Sequence, residues 1–360
     1  MKKLFILAAP ALLFITCKQK EAATQSMAAD STVIIEPAFA TDTVAYDSDD
    51  PAFWINPSDP SQSLIIGTDK GGDTGDGALY VFDLKGKEVP GKTVKNIKRP
   101  NNVDVAYGLV LQNKKTDIAI CTERNTNSIR VFSVPDMKPI DQGGIPVFEN
   151  DSLRAPMGIA LYTNPADGKI YAIVGRKTGP TNGTYLYQYL LQDNGNGTVK
   201  GKLVRTFGNY SGKNEIESIA VDNELGYIYC SDEGVGIRKY YAHPDSSSTE
   251  LALFGTTGFT DNHEGISIYK FSDGTGYILV SDQQANQFHI FPREGRGGNP
   301  HDHPVIKSVK TSTIESDGSD VTSIALPGFE HGLFVAMSDN KTFQFYRWED
   351  IAGQELKKAN

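Results

Sequence analysis

SLIIGTDK (63–70) is an apolar strand that runs into a charged loop. The same construction returns as DIAICTER (117–124), KIYAIVGRK (169–177), YIYCSDE (227–233), GYILVSDQ (276–283) and GLFVAMSD (332–339). Anchored on Ile66, Ile120, Val174, Cys230, Val280 and Ala336, the copies stand 54, 54, 56, 50 and 56 residues apart. Successive side chains of a strand point to opposite faces, so each copy reads as a short strand within a sheet. A repeat of about 50 residues with several short strands, and no stretch of the 3.6-residue apolar period, is the mark of a propeller blade. Six copies predict an all-β, six-bladed β-propeller. LRR-type and β-helical solenoids have shorter repeats.

Composition agrees with this reading. Of the 360 residues 39% are apolar, and 35 Gly and 18 Pro suit many short strands joined by tight turns. The regular repeat favours one domain at this length. A net charge of −9, from 35 basic and 44 acidic residues, argues against nonspecific nucleic-acid binding, because the polyanion is repelled overall. A phosphorylated ligand therefore needs locally arranged cations or bound metal.

MKKLFILAAPALLFITC (1–17) pairs two lysines with an apolar run shorter than the ~20 residues that span a bilayer, and reads as an export signal. It resembles a bacterial lipoprotein signal in which Cys17 is the lipidated residue. Phe14 and Thr16 depart from that pattern, so simple secretion is the alternative. The expected location is the outer membrane or cell surface as a lipoprotein, or the periplasm or medium. Any membrane contact runs through the anchor at Cys17. Residues 18–40 are polar and Ala/Ser/Thr-rich, as in a flexible linker, and 41–360 form the single propeller domain. Cys121 and Cys230 fall within strands of different repeats and read as buried small hydrophobes, with no disulfide expected.

A second recurring element precedes each anchor: DDPAFWI (49–55), NNVDVAY (101–107), MGIALY (157–162), ESIAVD (217–222), EGISIY (264–269) and VTSIAL (321–326). These read as the innermost strands. In an antiparallel blade the first strand begins, and the second ends, at the same end of the channel. The polar residues that start one set and finish the other therefore converge. Asp49, Asp50, Asn101, Asn102, Asp104, Glu217, Asp261, Asn262 and Glu264 are brought beside Lys70, Arg124, Lys177, Glu233, Gln283 and Asp339. Aspartate and asparagine at strand ends commonly make only local turns, but the same register in several blades points beyond that.

Three cations followed by three acidic or amide groups suggest one site for an anion and a hard metal. Carboxylates gathered in one mouth repel by roughly 4 kcal/mol per pair at 4 Å and an effective dielectric near 20, and a bound cation relieves that repulsion. Oxygen donors without a Cys or His set favour Ca²⁺, which takes about 6–8 oxygens, with Mg²⁺ as second choice. Singly, Lys70, Arg124 and Lys177 are as ordinary as any surface cation; grouped at a channel mouth they fit phosphate. HDH (301–303) sits in a Gly/Pro-flanked loop with no third metal ligand evident. GGDTGDG (71–77) lacks EF-hand spacing and reads as a long hairpin loop, and DNGNG (193–197) as a turn. Neither a G-x-S-x-G elbow nor a Walker A loop is present, so covalent serine catalysis has no support.

From about Thr41 to Ala352 the chain resembles the β-propeller phytases, the alkaline calcium-dependent class. The segments that carry the resemblance are DSDDPAFWINPSDPSQS (47–63), RPNNVDVAY (99–107), NEIESIAVDNELGYIY (214–229), DNHEGISIYKFSDGTGYILVSDQQAN (261–286), ESDGSDVTSIAL (315–326) and FQFYRWEDIA (343–352). The resemblance implies a six-bladed propeller, calcium-binding acids at Asp49, Asp50, Glu217, Glu233 and Glu264, and an amide ligand at Gln283. It places phosphate-binding cations at Lys70, Arg124 and Lys177. It also implies a separate structural calcium at Asp317 with Asp320 nearby. Departures from the family pattern are Met157 for a tyrosine, Thr178 for a glutamate, Gly71 for a second lysine followed by an insertion, and Asn262 for an aspartate, with Asp261 adjacent.

The expected function is a calcium-dependent phosphomonoesterase acting on phytate, myo-inositol hexakisphosphate. Lys70, Arg124, Lys177, Glu217 and Glu264 are the expected catalytic set. Asn102, Asp104, Asp261 and Asn262 are added to the candidate metal ligands. Two alternatives are a surface protein that binds phosphate or phytate without turnover and a calcium-dependent propeller lactonase, which has less need of three cations. A closed ring of blades needs no partner, so a monomer is expected.

Overall fold

Backbone hydrogen bonds gather the strands into six antiparallel sheets, each opening on the strand that precedes its repeat anchor. The computed structural model describes Met1 and residues 33–359; the expected export signal, Cys17 and most of the expected linker lie outside the described residues. Blade one comprises Ser48–Trp54, Leu64–Asp69, Asp76–Phe82 and Val94–Lys98. Blade two comprises Pro100–Leu111, Lys114–Glu123, Ser128–Val134 and Lys138–Pro139, with Ile145–Pro146 also paired to its third strand. Blade three is Pro156–Thr163, Ile170–Arg176, Leu186–Asp193 and Val199–Phe207, and blade four Ile219–Asp222, Tyr227–Asp232, Gly236–Tyr241 and Ala252–Phe254. Blade five is His263–Lys270, Gly276–Asp282, Gln287–Pro292 and Lys307–Thr311; blade six is Ser319–Thr322, Leu333–Ser338 and Thr342–Arg347.

First strands of successive blades pack against one another right round the ring, blade six against blade one included. They line the central channel. The register refines the repeat in two places. Gly67 and Cys121, one residue beyond Ile66 and Ile120, hold the places of Val174, Cys230, Val280 and Ala336, pairing respectively with Pro51, Val103, Ile159, Ile219, Ile266 and Ser319. In blade six the channel strand begins at Ser319, ahead of the VTSIAL segment, and Val321 is already its third residue.

The N-terminal side closes the ring. Phe39–Ala40 is the antiparallel fourth strand of blade six, and Ile34–Ile35 adds a parallel fifth strand to blade five. Folded structure thus begins before Thr41, and the linker reading is corrected at its C-terminal end. Short apolar pieces hidden in a polar stretch satisfy the backbone edges of two blades. The Phe39 ring seats 5.1 Å from Phe345 and 5.8 Å from Phe329.

Apolar side chains fill the spaces between blades. Ile118, Ile120, Ile129 and Val131 of blade two, for example, meet Ile159, Leu161 and Ile170 of blade three. Fully burying each such side chain contributes about 1.5–3 kcal/mol. Cys121 and Cys230 are free thiols buried in these interfaces. Buried Arg293 of blade five forks onto Asp222 of blade four at 2.6 and 2.7 Å. The one α-helix among the described residues, Trp348–Ala352, lays Trp348 on Tyr269 at 3.8 Å. No described helix is long and apolar enough to cross a membrane.

Candidate active site

A repeated irregularity builds the channel mouth. In blades one, two, three and five the channel strand advances three residues while its neighbour advances two: Ser48 to Pro51, Pro100 to Val103, Pro156 to Ile159 and His263 to Ile266. Such a bulge bends the strand and re-aims the extra side chain. In blades four and six the bonds from Ser231 N–H to the Ser218 carbonyl and from Met337 N–H to the Gly318 carbonyl continue the register. The first bulge position therefore carries Asp49, Asn101, Met157, Glu217, Glu264 and Asp317, one from each blade in turn. All are buried except half-buried Asp317.

Glycine at the second bulge position of blades three, five and six lets this ring close. A Cβ on Gly158 would stand 2.1 Å from the Glu217 carbonyl oxygen, and one on Gly318 2.6 Å from that of Asp49. In blades three, five and six the glycine thus admits the next blade's backbone.

An outer tier surrounds the ring. The loop residues donate their N–H groups to carbonyls two residues before the ring: Lys70 to Asp47 at 2.8 Å, Arg124 to Arg99 at 3.1 Å, Lys177 to Ala155 at 2.8 Å, Glu233 to Glu215 at 3.1 Å and Gln283 to Asn262 at 3.5 Å. Short 3₁₀ turns, Arg124–Thr126 and Gln283–Ala285, open on Arg124 and Gln283 and close on left-handed Asn127 and Asn286. The acids just before these loop residues face the other way and tie down the incoming chain: Asp69 accepts from Asp47 N–H, Glu123 from Lys98 N–H, Asp232 from Ser211 N–H and Asp282 from Thr260 N–H. Blade six differs, since exposed Asp339 donates its N–H to Ile314 instead.

Charges interlock within the mouth. The Lys70 Nζ lies 2.9 Å from Asp49 Oδ1, 3.0 Å from Asp317 Oδ2 and 3.7 Å from Asp47 Oδ1. Burial opposes its charge, but Asp49, Asp317, Glu217 and Asp47 outweigh it and hold the ammonium pKa above its usual range. The Lys177 Nζ meets Glu215 Oε1 at 2.7 Å, and Gln283 Nε2 bonds Asp317 Oδ1. Arg124 touches Met157 Sδ through Nη2, and its buried Nε has no hydrogen-bond partner among the described residues. Burial lowers the Arg124 pKa, partly offset by Glu217.

Two carboxylate triads share Glu217. Oxygens of Asp49, Glu217 and Asp317, and of Glu215, Glu217 and Glu233, lie within 4.8 Å of one another in each group. Asp317, expected at a separate structural calcium, stands instead in the same ring. Burial raises the Glu217 and Glu264 carboxyls well above their usual range, helped for Glu217 by Asp49 and for Glu264 by Glu217; it pushes Asp317 up to about 7 and Glu233 up to about 8. Glu233 Oε1, Glu264 Oε2, Asn101 Oδ1 and Asn102 Oδ1 are buried acceptors with no donor in reach among the described residues. Unpaired inward oxygens in an all-oxygen set fit a hard divalent cation.

Three of the expected ligands are held in bonds between blades. Asp50 Oδ2 accepts the Val103 N–H at 3.0 Å, Asp104 Oδ2 the Leu161 N–H at 2.6 Å and Asp320 Oδ2 the Phe53 N–H at 2.9 Å. Each carboxyl thereby stitches its blade to the next. With Lys270 they line a channel cavity of about 170 Å³. Burial pushes Asp104 up to about 7, Asp320 up to about 6 and Asp50 well above the carboxylate range. Asp261 is exposed, and Asn262 Oδ1 accepts from Asn214 Nδ2.

A family model described as Phytase matches residues 2–357. The chain belongs to the phytase family. It is 31% identical over 324 residues to the 3-phytase of Bacillus subtilis (strain 168), covering 85% of this chain and 80% of that protein. The solved structure of the Dos1 propeller aligns over 82% of the chain with a TM-score of 0.42 and 12% identity, and the chain spans 66% of that propeller's length.

Among the residues that a phytase-family mouth brings together here, the sequence reading passed over Asp47, Arg99 and Glu215. All three stand two residues before a ring residue. Period-two projection from Asp49, Asn101 and Glu217 points to them. HDH is accounted for without metal: His303 donates Nδ1–H to the Pro292 carbonyl at 2.7 Å and accepts from buried Lys239 Nζ at 3.1 Å, while Asp302 pairs with Arg296.

Proposed function

We propose that this chain is a phytase, a calcium-dependent phosphomonoesterase that releases inorganic phosphate from myo-inositol hexakisphosphate. The observation that carries the reading is the meeting of Lys70, Arg124 and Lys177 with two carboxylate triads sharing Glu217 at one channel mouth. Family membership and the related Bacillus subtilis 3-phytase support the substrate.

Asp49, Glu217 and Asp317 are the residues to hold one ion and Glu215, Glu217 and Glu233 another, with Glu264, Gln283, Asn101 and Asn102 supplying further oxygens. Calcium bound there supplies positive charge that neutralises phosphate and acidifies a water. Arg124, Lys70 and Lys177 would hold the phosphoryl oxygens as negative charge shifts in the transition state. Water adds at phosphorus, the bond to the inositol oxygen breaks, and that oxygen takes a proton from solvent. Monoester hydrolysis needs up to ~10²¹-fold acceleration, which no single lysine supplies.

The lysine-rich, apolar N-terminus supports export, with lipidation at Cys17 as the anchored form. A monomer suffices for the mouth, since every group named belongs to one chain. The decisive test titrates calcium into a malachite-green phosphate assay on phytate. Release is expected to follow calcium and vanish in excess EGTA; full release in EGTA overturns the metal reading. Tight phytate binding without release assigns a binder, and cleavage of a sugar lactone but not phytate assigns a lactonase.

A further inference from the structure

We infer that Arg99 is a fourth cation of the mouth, contacting phosphoryl oxygens of the substrate beside Arg124. This deepens the phosphatase reading above and rests on it. Register is the first argument. Asp47 and Glu215 occupy the same place, two residues before the ring, and both put carboxylates against mouth cations, at 3.7 Å from Lys70 and 2.7 Å from Lys177. Arg99 holds that place in blade two, and its carbonyl receives the Arg124 N–H as those of Asp47 and Glu215 receive Lys70 and Glu233. Lys98, next in the strand, turns to the opposite side and pairs with Asp76.

The backbone of Arg99 is held from both sides. Its N–H donates to the Gly75 carbonyl at 2.6 Å, and it sits at φ 56°, a left-handed conformation that a non-glycine residue adopts only where its surroundings enforce it. A Cβ on Gly75 would lie 3.6 Å from Arg99 Cβ and 2.6 Å from Asn125 Nδ2. The inserted loop 71–77 therefore packs directly behind Arg99. Gly71 opens that loop where the family pattern has a second lysine, so the loop that costs one cation buttresses another.

Commitment separates the four cations. Lys70 is engaged by three carboxylates and Lys177 by one, whereas the Arg99 guanidinium has no ion pair or side-chain hydrogen bond among the described residues. Its charge nonetheless reaches both neighbours. Burial raises the Asp47 carboxyl, which Lys70 and Arg99 pull back down, and Arg99 adds to the burial that lowers Arg124. Two adjacent guanidiniums repel each other and become favourable partners only when an anion lies between them. Their planar forks suit phosphoryl oxygens bidentately.

The test is calorimetric titration of the full chain, with calcium present, by myo-inositol hexakissulfate, a polyanion a phosphatase does not consume. Arg99→Gln is expected to weaken binding about tenfold or more, Arg99→Lys by less, and the salt dependence of binding to become shallower. With phytate as substrate, KM is expected to rise more than kcat falls. Unchanged hexasulfate affinity in Arg99→Gln overturns the assignment, as does an equal loss in both variants accompanied by a lower Tm, which marks a structural role. Phytate left intact by the wild type defeats the proposed activity while hexasulfate binding still decides Arg99. A wild type that does not bind hexasulfate defeats both.

Discussion

Lys70 has two kinds of partner within reach of one ammonium. Its carboxylate neighbours Asp49 and Asp317 are those that, with Glu217, form an oxygen triad, so lysine and a divalent ion compete for the same charge. Lys70→Met is expected to tighten calcium binding severalfold in a direct calorimetric titration while slowing phosphate release. Glu217→Gln is expected to do the reverse on affinity and to cost far more rate, about 10²-fold or more, because both triads lose their shared member. If Lys70→Met costs more rate than Glu217→Gln, the cations carry the chemistry instead. His303 gives a residue-level pH effect away from the mouth. Burial, reinforced by the Lys239 charge, lowers its pKa from 6.5 to about 4, so the unfolded chain takes up a proton that the fold refuses. The stability this represents is whole above pH 6.5 and is lost as pH falls toward 4. A Tm series in His303→Ala is expected to show a lower plateau and a shallower fall across that window.

At the scale of elements, the bulge of the channel strands decides the site. Gly318→Ala would drive a Cβ to 2.4 Å from Asp50 Oδ1 and 2.6 Å from a backbone oxygen that cannot step aside. Overpacking of this kind costs about 1–3 kcal/mol, and the mouth is expected to lose activity beyond that. Chemical denaturation and a phosphate assay on one preparation separate the two losses. Strand period and repeat spacing made the six blades and most mouth residues legible, because alternation and recurrence are local properties of the chain. The bulge was not legible. An extra residue in a strand leaves no mark on hydrophobic pattern: the segments opening on Asp49, Asn101, Met157, Glu217 and Glu264 stood in the observed register, but blade six was aligned on Val321 rather than Asp317. Asp50, Asp104 and Asp320 have the right chemistry for ligands, yet each finds its partner in the next blade's backbone, a relation set by tertiary packing. Glu215 and Arg99 fell outside the aligned strands, where no apolar pattern points.

For the whole molecule, the acids of the mouth couple metal, proton and stability. Glu233 and Asp317 keep their protons in the fold up to about pH 8 and about pH 7, whereas the unfolded chain releases them near its ordinary values of 4.5 and 3.8. Their contribution is full below those values and disappears as pH rises through 7 to 8. The EGTA-treated protein is therefore expected to melt at progressively lower temperature from pH 5 to 9, read by scanning calorimetry. On the proposed reading calcium flattens that decline, because an ion held only by the folded mouth competes with the protons. An identical slope with and without calcium removes metal from the mouth.

The seam of the wheel joins Phe39 to Phe345, one of the first and one of the last of its residues to be synthesised. Blade six stays short of its outer strand's partner until nearly all of the chain has been made. The polypeptide thus remains an open thread for most of its synthesis, and locks into a hoop only when blade six's last strands arrive.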